Sequence, residues 1–445
     1  MTDRRTRYPL SRGNPLAPVY VSVLLFMTAE GALHILLPPF LSLEHGLGPA
    51  AIGALVGVFA AASLAARLPA GMAYTVARAR LLLLMGGLAS ALAFLLLPLA
   101  PSPLAIGALM VLDGLGWSVA TTTQMALVLA LKPKETSTGS AMGWYAGFTG
   151  LGNASEGIGG GLLAELVGLS TSFVVLSFVL VLGTALMVHA VPRSSARVER
   201  KESAHRSGGV AGLRSFDTIP AVVWAAVVVM FYINFVNGIA NTFHPLLALS
   251  AGLTLWQIGF LASCRGWTSS ASRMTSGAVF ARYSAARLTT PLVLIASAAL
   301  FLIPPLRSSF ALQIPLFLAM GLSRGLLRVT ASVSAFEEVG DDERRHGLTA
   351  ALLHGGLDAG KVAGPVLGGL LAHAIGLAAM FQVIPVALVA LYGVLLLAAR
   401  RSGGPPPRCQ PVGEPTKRST SRHASAQASE CSSIFRSKKL CGAPS

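Results

Sequence analysis

Long apolar runs follow one another from residue 17 to residue 399, with short polar stretches between them. Apolar residues in these runs are near-continuous. They lack the strict alternation of strands that turn one face to lipid. Each run is long enough to cross about 30 Å of hydrocarbon as a helix. Twelve spanning helices are predicted, over 17–41, 50–73, 81–100, 104–131, 139–166, 172–191, 219–247, 254–280, 288–305, 309–331, 347–372 and 377–399. Helix is the required form because hydrocarbon offers no partner to backbone N–H and C=O groups. The first run follows four arginines (Arg4, Arg5, Arg7, Arg12) but exceeds the length of a cleavable signal core, so it reads as a retained span.

Composition fits this pattern. Only 12% of residues are charged and 53% are hydrophobic, whereas a soluble domain carries about 25% charge. Most of the surface must therefore meet membrane lipid. The net charge of +16 falls in bands: before span one, after span two (Arg78, Arg80), after span four (Lys132, Lys134), after span six, after span eight (Arg282, Arg287) and after span twelve (Arg400, Arg401). The alternate loops hold Arg307 as their one basic residue. That distribution puts both termini in the cytoplasm of a multi-pass plasma (inner) membrane protein. Bands of this kind mark topology, not a docking surface, so no nucleic-acid partner is expected.

The spans repeat. Gly139, Gly147, Gly152, Gly160, Gly161 and Gly168 have glycine counterparts at Gly347, Gly355, Gly360, Gly368, Gly369 and Gly376, each 208 residues on. Pro39, Gly46, Ile52, Gly53, Arg67 and Gly71 pair with Pro245, Gly252, Ile258, Gly259, Arg273 and Gly277, each 206 residues on. The chain thus reads as a six-helix half over 1–191, a basic linker over 192–218, a second six-helix half over 219–401, and a Ser-, Pro- and Arg-rich tail over 402–445 expected to be disordered. Duplicated halves in a membrane protein are the signature of a transporter that rocks around a central site.

Six plus six helices, cytoplasmic termini, a long basic middle loop and two repeated halves resemble the major facilitator superfamily over residues 15–400. In antiporters of that superfamily span five carries G-x8-G-x3-G-P-x2-G-G. Here it reads Gly143, Gly152, Glu156, Gly157, Gly160, Gly161, with Glu156-Gly157 in place of Gly-Pro. Span eleven has the fuller copy: Gly360, Gly364-Pro365, Gly368-Gly369. Small residues at such spacing let helices approach closely, and the proline marks a bend. After span two the family reads G-x3-D-R-x-G-R. This chain keeps Arg67-Leu68-Pro69 and Gly71 but has Thr75 at the aspartate position. In span four Gly114 and Gly116 are present, while Met110 stands where antiporters often carry an arginine. The resemblance implies an all-α membrane fold, no cofactor, no metal and a monomer. Arg67, Gly71, Gly152, Glu156, Gly160, Gly161, Arg273, Gly277, Gly360, Gly364, Pro365, Gly368 and Gly369 are the expected packing and gating residues.

An ionisable group inside a span is costly and usually faces a cavity or a partner. The first half offers Glu30, His34, Asp113 and Glu156. The second offers Arg265, Arg324, Arg328, Asp358 and Lys361. Glu30 and His34 share a helix face, as do Asn234, Asn237 and Asn241 in span seven. Glu30 and His34 coincide with Asn237 and Asn241 when the halves are overlaid 207 residues apart. Glu30, His34, Asp113, Asn234, Asn237, Asn241, Arg265, Arg324 and Asp358 are therefore the candidates for a substrate or coupling cavity. Bundle glue by hydrogen bonding is the alternative reading of the asparagines. Mutual neutralisation is the alternative for Asp358 and Lys361.

No phosphate-binding glycine loop, zinc-ligand cluster or nucleophile elbow is present, so an enzyme is not expected. The leading expectation is a secondary transporter of a small-molecule substrate by alternating access, exporting it in exchange for protons. The alternative is an uptake symporter or facilitator for a small polar or anionic solute. A non-transporting sensor or assembly protein on the same fold is the third reading.

Overall fold

The computed structural model describes residues 16–133, 138–191, 219–276, 279, 283, 285–339 and 343–402. Twelve α-helices follow in order among them: α1 (Ala17–Leu43), α2 (Pro49–Ala73), α3 (Val76–Leu96), α4 (Pro103–Leu131), α5 (Thr138–Val167), α6 (Leu169–Ala190), α7 (Ala221–Ser250), α8 (Leu255–Met274), α9 (Ala285–Leu302), α10 (Phe310–Val339), α11 (Glu343–Ile375) and α12 (Leu377–Ser402). The described residues up to Tyr392 belong to one compact unit, and those from Gly393 on to another. All of the expected linker, nearly all of the expected tail, and Gly277 lie outside the described residues.

Local signals set the helix starts. Pro49 and Pro103 open α2 and α4, where the missing N–H costs nothing. The Ser102 hydroxyl accepts from the Ala105 N–H at 3.3 Å. Thr254 and Gln257 cap α8 reciprocally. Thr75 accepts from the Arg78 N–H at 3.2 Å and caps α3. The residue at the family's aspartate position is thus a helix cap.

The face where α1 begins is called the near face, and the opposite one the far face. Four glycines have positive φ: Gly46 (64°), Gly168 (86°), Gly252 (88°) and Gly376 (86°). All four make turns at the far face, and they are two pairs of repeat mates. Left-handed backbone excludes most L residues, so the duplication is written into the turns as well as the helices.

Leu81, Met85, Leu88 and Leu92 recur every three or four residues on α3 and are exposed, while Leu83, Gly86, Gly87, Ser90 and Phe94 are buried. The first stripe faces lipid and the second the bundle. α1 is buried nearly all round, packed by α5, α6 and α7. Eight helices have the length and hydropathy to cross a membrane by composition alone; α5, α8, α9 and α11 do not. Three of those four carry buried charges or close glycine contacts against other helices, so less of their surface needs to suit lipid.

The first and last six helices meet at two antiparallel crossings, α5 with α8 and α2 with α11. At Gly259 an added methyl would lie 2.7 Å from the Gly157 carbonyl carbon and 3.3 Å from Gly161 Cα. At Gly53 it would lie 3.1 Å from both the Pro365 carbonyl carbon and Gly369 Cα. These are the same contact in the two copies. The glycines of α5 and α11 serve two neighbours. Gly152 and Gly160 seat α1 (Met27, Ala32), Gly360, Gly364 and Gly368 seat α7 (Phe235, Phe243), and Gly157, Gly161 and Gly369 seat the opposite six helices. At the near-face ends, Gly143, Gly147 and Gly355 meet nothing within 4 Å.

Gly53→Ala and Gly259→Ala should each cost about 1–3 kcal/mol by overpacking, whereas Gly147→Ala should be neutral or stabilise by up to about 1 kcal/mol through helix propensity. Thermal unfolding in detergent checks this. Equal behaviour of the three variants would show that the crossings are not the tight points.

Candidate functional site

Two groups of polar side chains lie in the interior at equivalent positions of the repeat. In the first six helices Glu30 (α1) and Asp113 (α4) are neighbours, with Ser90 (α3) beside both. Glu30 is 2% exposed and Asp113 is 0% exposed. None of their carboxylate oxygens, nor the Ser90 hydroxyl, has a hydrogen-bond partner. Beside them, Phe59 (α2) and Trp117 (α4) hold Lys361 of α11, whose Nζ lies 4.8 Å and 4.5 Å from the two ring centroids. His34 meets the edge of Phe59 at 5.4 Å.

In the last six helices the Arg265 (α8) guanidinium donates from Nη2 to the Asn241 (α7) oxygen. Its Nε and Nη1 have no partner, and the residue is 3% exposed. Phe317 lies under it, 5.8 Å away. The Tyr232 hydroxyl lies 2.8 Å from Ser297 Oγ and donates to the Val293 carbonyl at 3.0 Å. A small cavity beside Arg265 is lined by Tyr232, Asn237 and Arg324, with apolar walls from Ile233, Val236, Met320 and Leu327. A second, also lined by Arg265, reaches His244, which bonds Gln313 at 2.7 Å.

These groups are built on one template. Gly114 packs on the Phe59 carbonyl, and Gly321, 207 residues on, packs on the Arg265 carbonyl. Phe59 therefore corresponds to Arg265 and Trp117 to Arg324. Glu30 corresponds to Asn237, His34 to Asn241 and Ser90 to Ser297. One set is acidic and aromatic, the other amide and guanidinium.

A family model, Major Facilitator Superfamily, matches residues 19–351. The chain belongs to the major facilitator superfamily. It is similar in fold to the nucleoside transporter NupG, with a TM-score of 0.69 and 13% identity, covering 87% of this chain and 98% of that one. It is also similar to a bacterial homologue of the human lysosomal transporter Spinster in an inward-facing, occupied conformation, with a TM-score of 0.67 and 16% identity, covering 86% and 96%. No curated protein matches it by sequence. Within this superfamily the chain is a multi-pass secondary transporter, and at such low identity its neighbours carry the fold alone.

On this facilitator scaffold the residues singled out from sequence divide. Glu30 and Asp113 come together in the first group. Asn237, Asn241, Arg265 and Arg324 come together in the second. Asn234 instead donates to the Leu357 carbonyl at 2.9 Å and ties α7 to α11. Asp358 makes no salt bridge with Lys361, although its charge acts on that lysine. It forms an ion pair with Arg67 of α2 at 3.3 Å, and Arg67 also lies over Trp117 at 5.3 Å. Arg273, the mate of Arg67, turns back onto its own helix, to the Ser269 carbonyl and the Ser270 hydroxyl. The mate of Asp358 is Gly150, which explains the difference. Glu156 packs on Gly31 of α1, where a methyl would stand on its carboxylate. Gly71 has only Thr122 at 4.0 Å, so it is not a tight packing position. Phe59, Ser90, His244 and Gln313 were not anticipated. The first two were accessible through their repeat mates, Arg265 and Ser297.

The Arg67–Asp358 pair links the two six-helix sets, and its side chains are 34% and 17% exposed. A double-mutant cycle with Arg67→Gln and Asp358→Asn should give a coupling energy of about 1 kcal/mol in thermal stability. Strict additivity would show that the pair carries no interaction.

Proposed function

We propose that the chain is a proton-coupled transporter whose two six-helix halves alternate access to a central site, with the near face in the cytoplasm. One observation carries the coupling. Glu30 and Asp113 are adjacent and buried, and among the described residues no cation forms a salt bridge with either. Two ionised carboxylates buried side by side repel each other, so a bound proton is the least costly occupant. Loss of that proton has consequences beyond the pair, because Lys361, reaching in from the other half, feels the charge.

The span-five motif raises the expectation of export, and the intramembrane carboxylates that of exchange for protons. A specific observation favours the second reading, proton-coupled uptake of an anionic solute: Arg265 and Arg324 line the cavity, and Glu156 replaces the glycine of the Gly-Pro pair.

Reconstituted vesicles with an imposed pH gradient test this, with lipophilic cations, sugars and organic anions offered in turn. Gradient-driven flux should fall to background in Glu30→Gln while solute exchange without a gradient persists. Antiport drives solute towards the acidic side, symport away from it. Flux that ignores both the gradient and Glu30→Gln would overturn proton coupling.

A further inference from the structure

We propose that Arg265 and Arg324 seat an organic carboxylate with an apolar body, and that Glu156 is the internal counter-charge it replaces, so that anion and proton bind together. This rests on the transporter reading above and names the substrate class of its central site.

Arg265 is the starting point. A buried guanidinium without acceptors is costly, and here only Nη2 is used. Nε and Nη1 point to an acceptor that the protein does not supply. Arg324, from α10, lines the same cavity. The remaining walls are mostly apolar, with Tyr232 and Asn237 as the polar exceptions. Few polar groups on an apolar wall select a ligand with a charged end and a hydrocarbon body, and the cavity, small in this conformation, must widen to admit one. Arginine suits a planar carboxylate better than lysine does.

Glu156 sits on α5 at its crossing with α8, beside Gly157, which packs on Gly259, and Ile158, whose N–H donates to Ser263 Oγ at 2.9 Å, two residues from Arg265. Around it α8 presents Arg265, α10 presents Arg324 and α11 presents Lys361. On α1 it touches Gly31, and the adjacent Glu30 is engaged with Asp113. Arg273 and Arg328 add positive charge around Arg324. Glu156 makes no direct ion pair with either arginine: among the described residues the one such pair is Arg67–Asp358. Ionised, it offsets part of the positive charge without filling the donors. Protonated, it leaves both arginines uncompensated and open to a second carboxylate. Anion affinity must therefore fall as pH rises through the Glu156 titration, by up to about tenfold per pH unit.

Titration calorimetry on the full chain in detergent, with benzoate and octanoate as probes at several pH values, tests this without any gradient. Wild type should bind at acid pH and weaken as pH rises. Glu156→Gln should bind at the acid-pH strength throughout. Arg265→Gln and Arg324→Gln should each weaken binding by about tenfold or more. Arg265→Lys, which keeps the charge, should bind weakly with the wild-type pH trend. No binding of either probe to wild type, an unchanged pH trend in Glu156→Gln, or wild-type binding in both arginine-to-glutamine variants would each overturn the proposal. Glu30→Gln separates the two readings. Loss of gradient-driven flux with benzoate binding intact supports both. Absent binding with intact coupling sinks the anion seat alone.

Discussion

Backbone touches backbone where α5 crosses α8 and where α2 crosses α11, and the interior is arranged around those two contacts. Gly157 with Gly259, and Pro365 with Gly53, leave no room for a side chain. Hydrocarbon supplies no hydrophobic drive to press helices together, so close packing of small residues must do it. Each crossing brings a charged helix of one half to the midline: α8 with Arg265, α11 with Lys361 and Asp358. Thicker crossings would hold these groups out of reach of Glu156, Phe59 and Trp117.

Duplication then explains the chemistry. Two copies of one scaffold place side chains at matched depths, and the copies have been filled differently. Glu30, Phe59 and Trp117 in one half stand where Asn237, Arg265 and Arg324 stand in the other. Isolated charges in a membrane interior are costly. The arrangement keeps opposite signs facing one another across the midline, mostly without direct contact. Attraction at a distance leaves room for a proton or a solute to take part.

The spans were legible because lipid imposes them: length, near-continuous apolar character and charge banding each follow from one constraint. Much of the glycine repeat was legible because close crossings and left-handed turns tolerate little else. The match of α4 with α10 was not, although Gly114 and Gly321 carry it. The residues flanking those glycines differ in kind, Trp117 against Arg324, and identity fades where the halves have taken different roles. The partner of Asp358 was also hidden. Spacing along α11 puts Lys361 one turn away, but the α2–α11 crossing puts Arg67 closer and sends Lys361 to the aromatic pair. Side-chain reach across a crossing is a property of three dimensions.

Alternating access requires reciprocal motion of the two faces. Spin labels at Leu166 and Ile375 report the far face, and labels at Met72 and Met274 report the near face; all four positions are exposed. Pulsed electron–electron resonance between each pair, in wild-type background at acid and alkaline pH, measures it directly. One distance should lengthen as the other shortens. Distances that stay fixed, or that move in the same direction, would contradict alternating access.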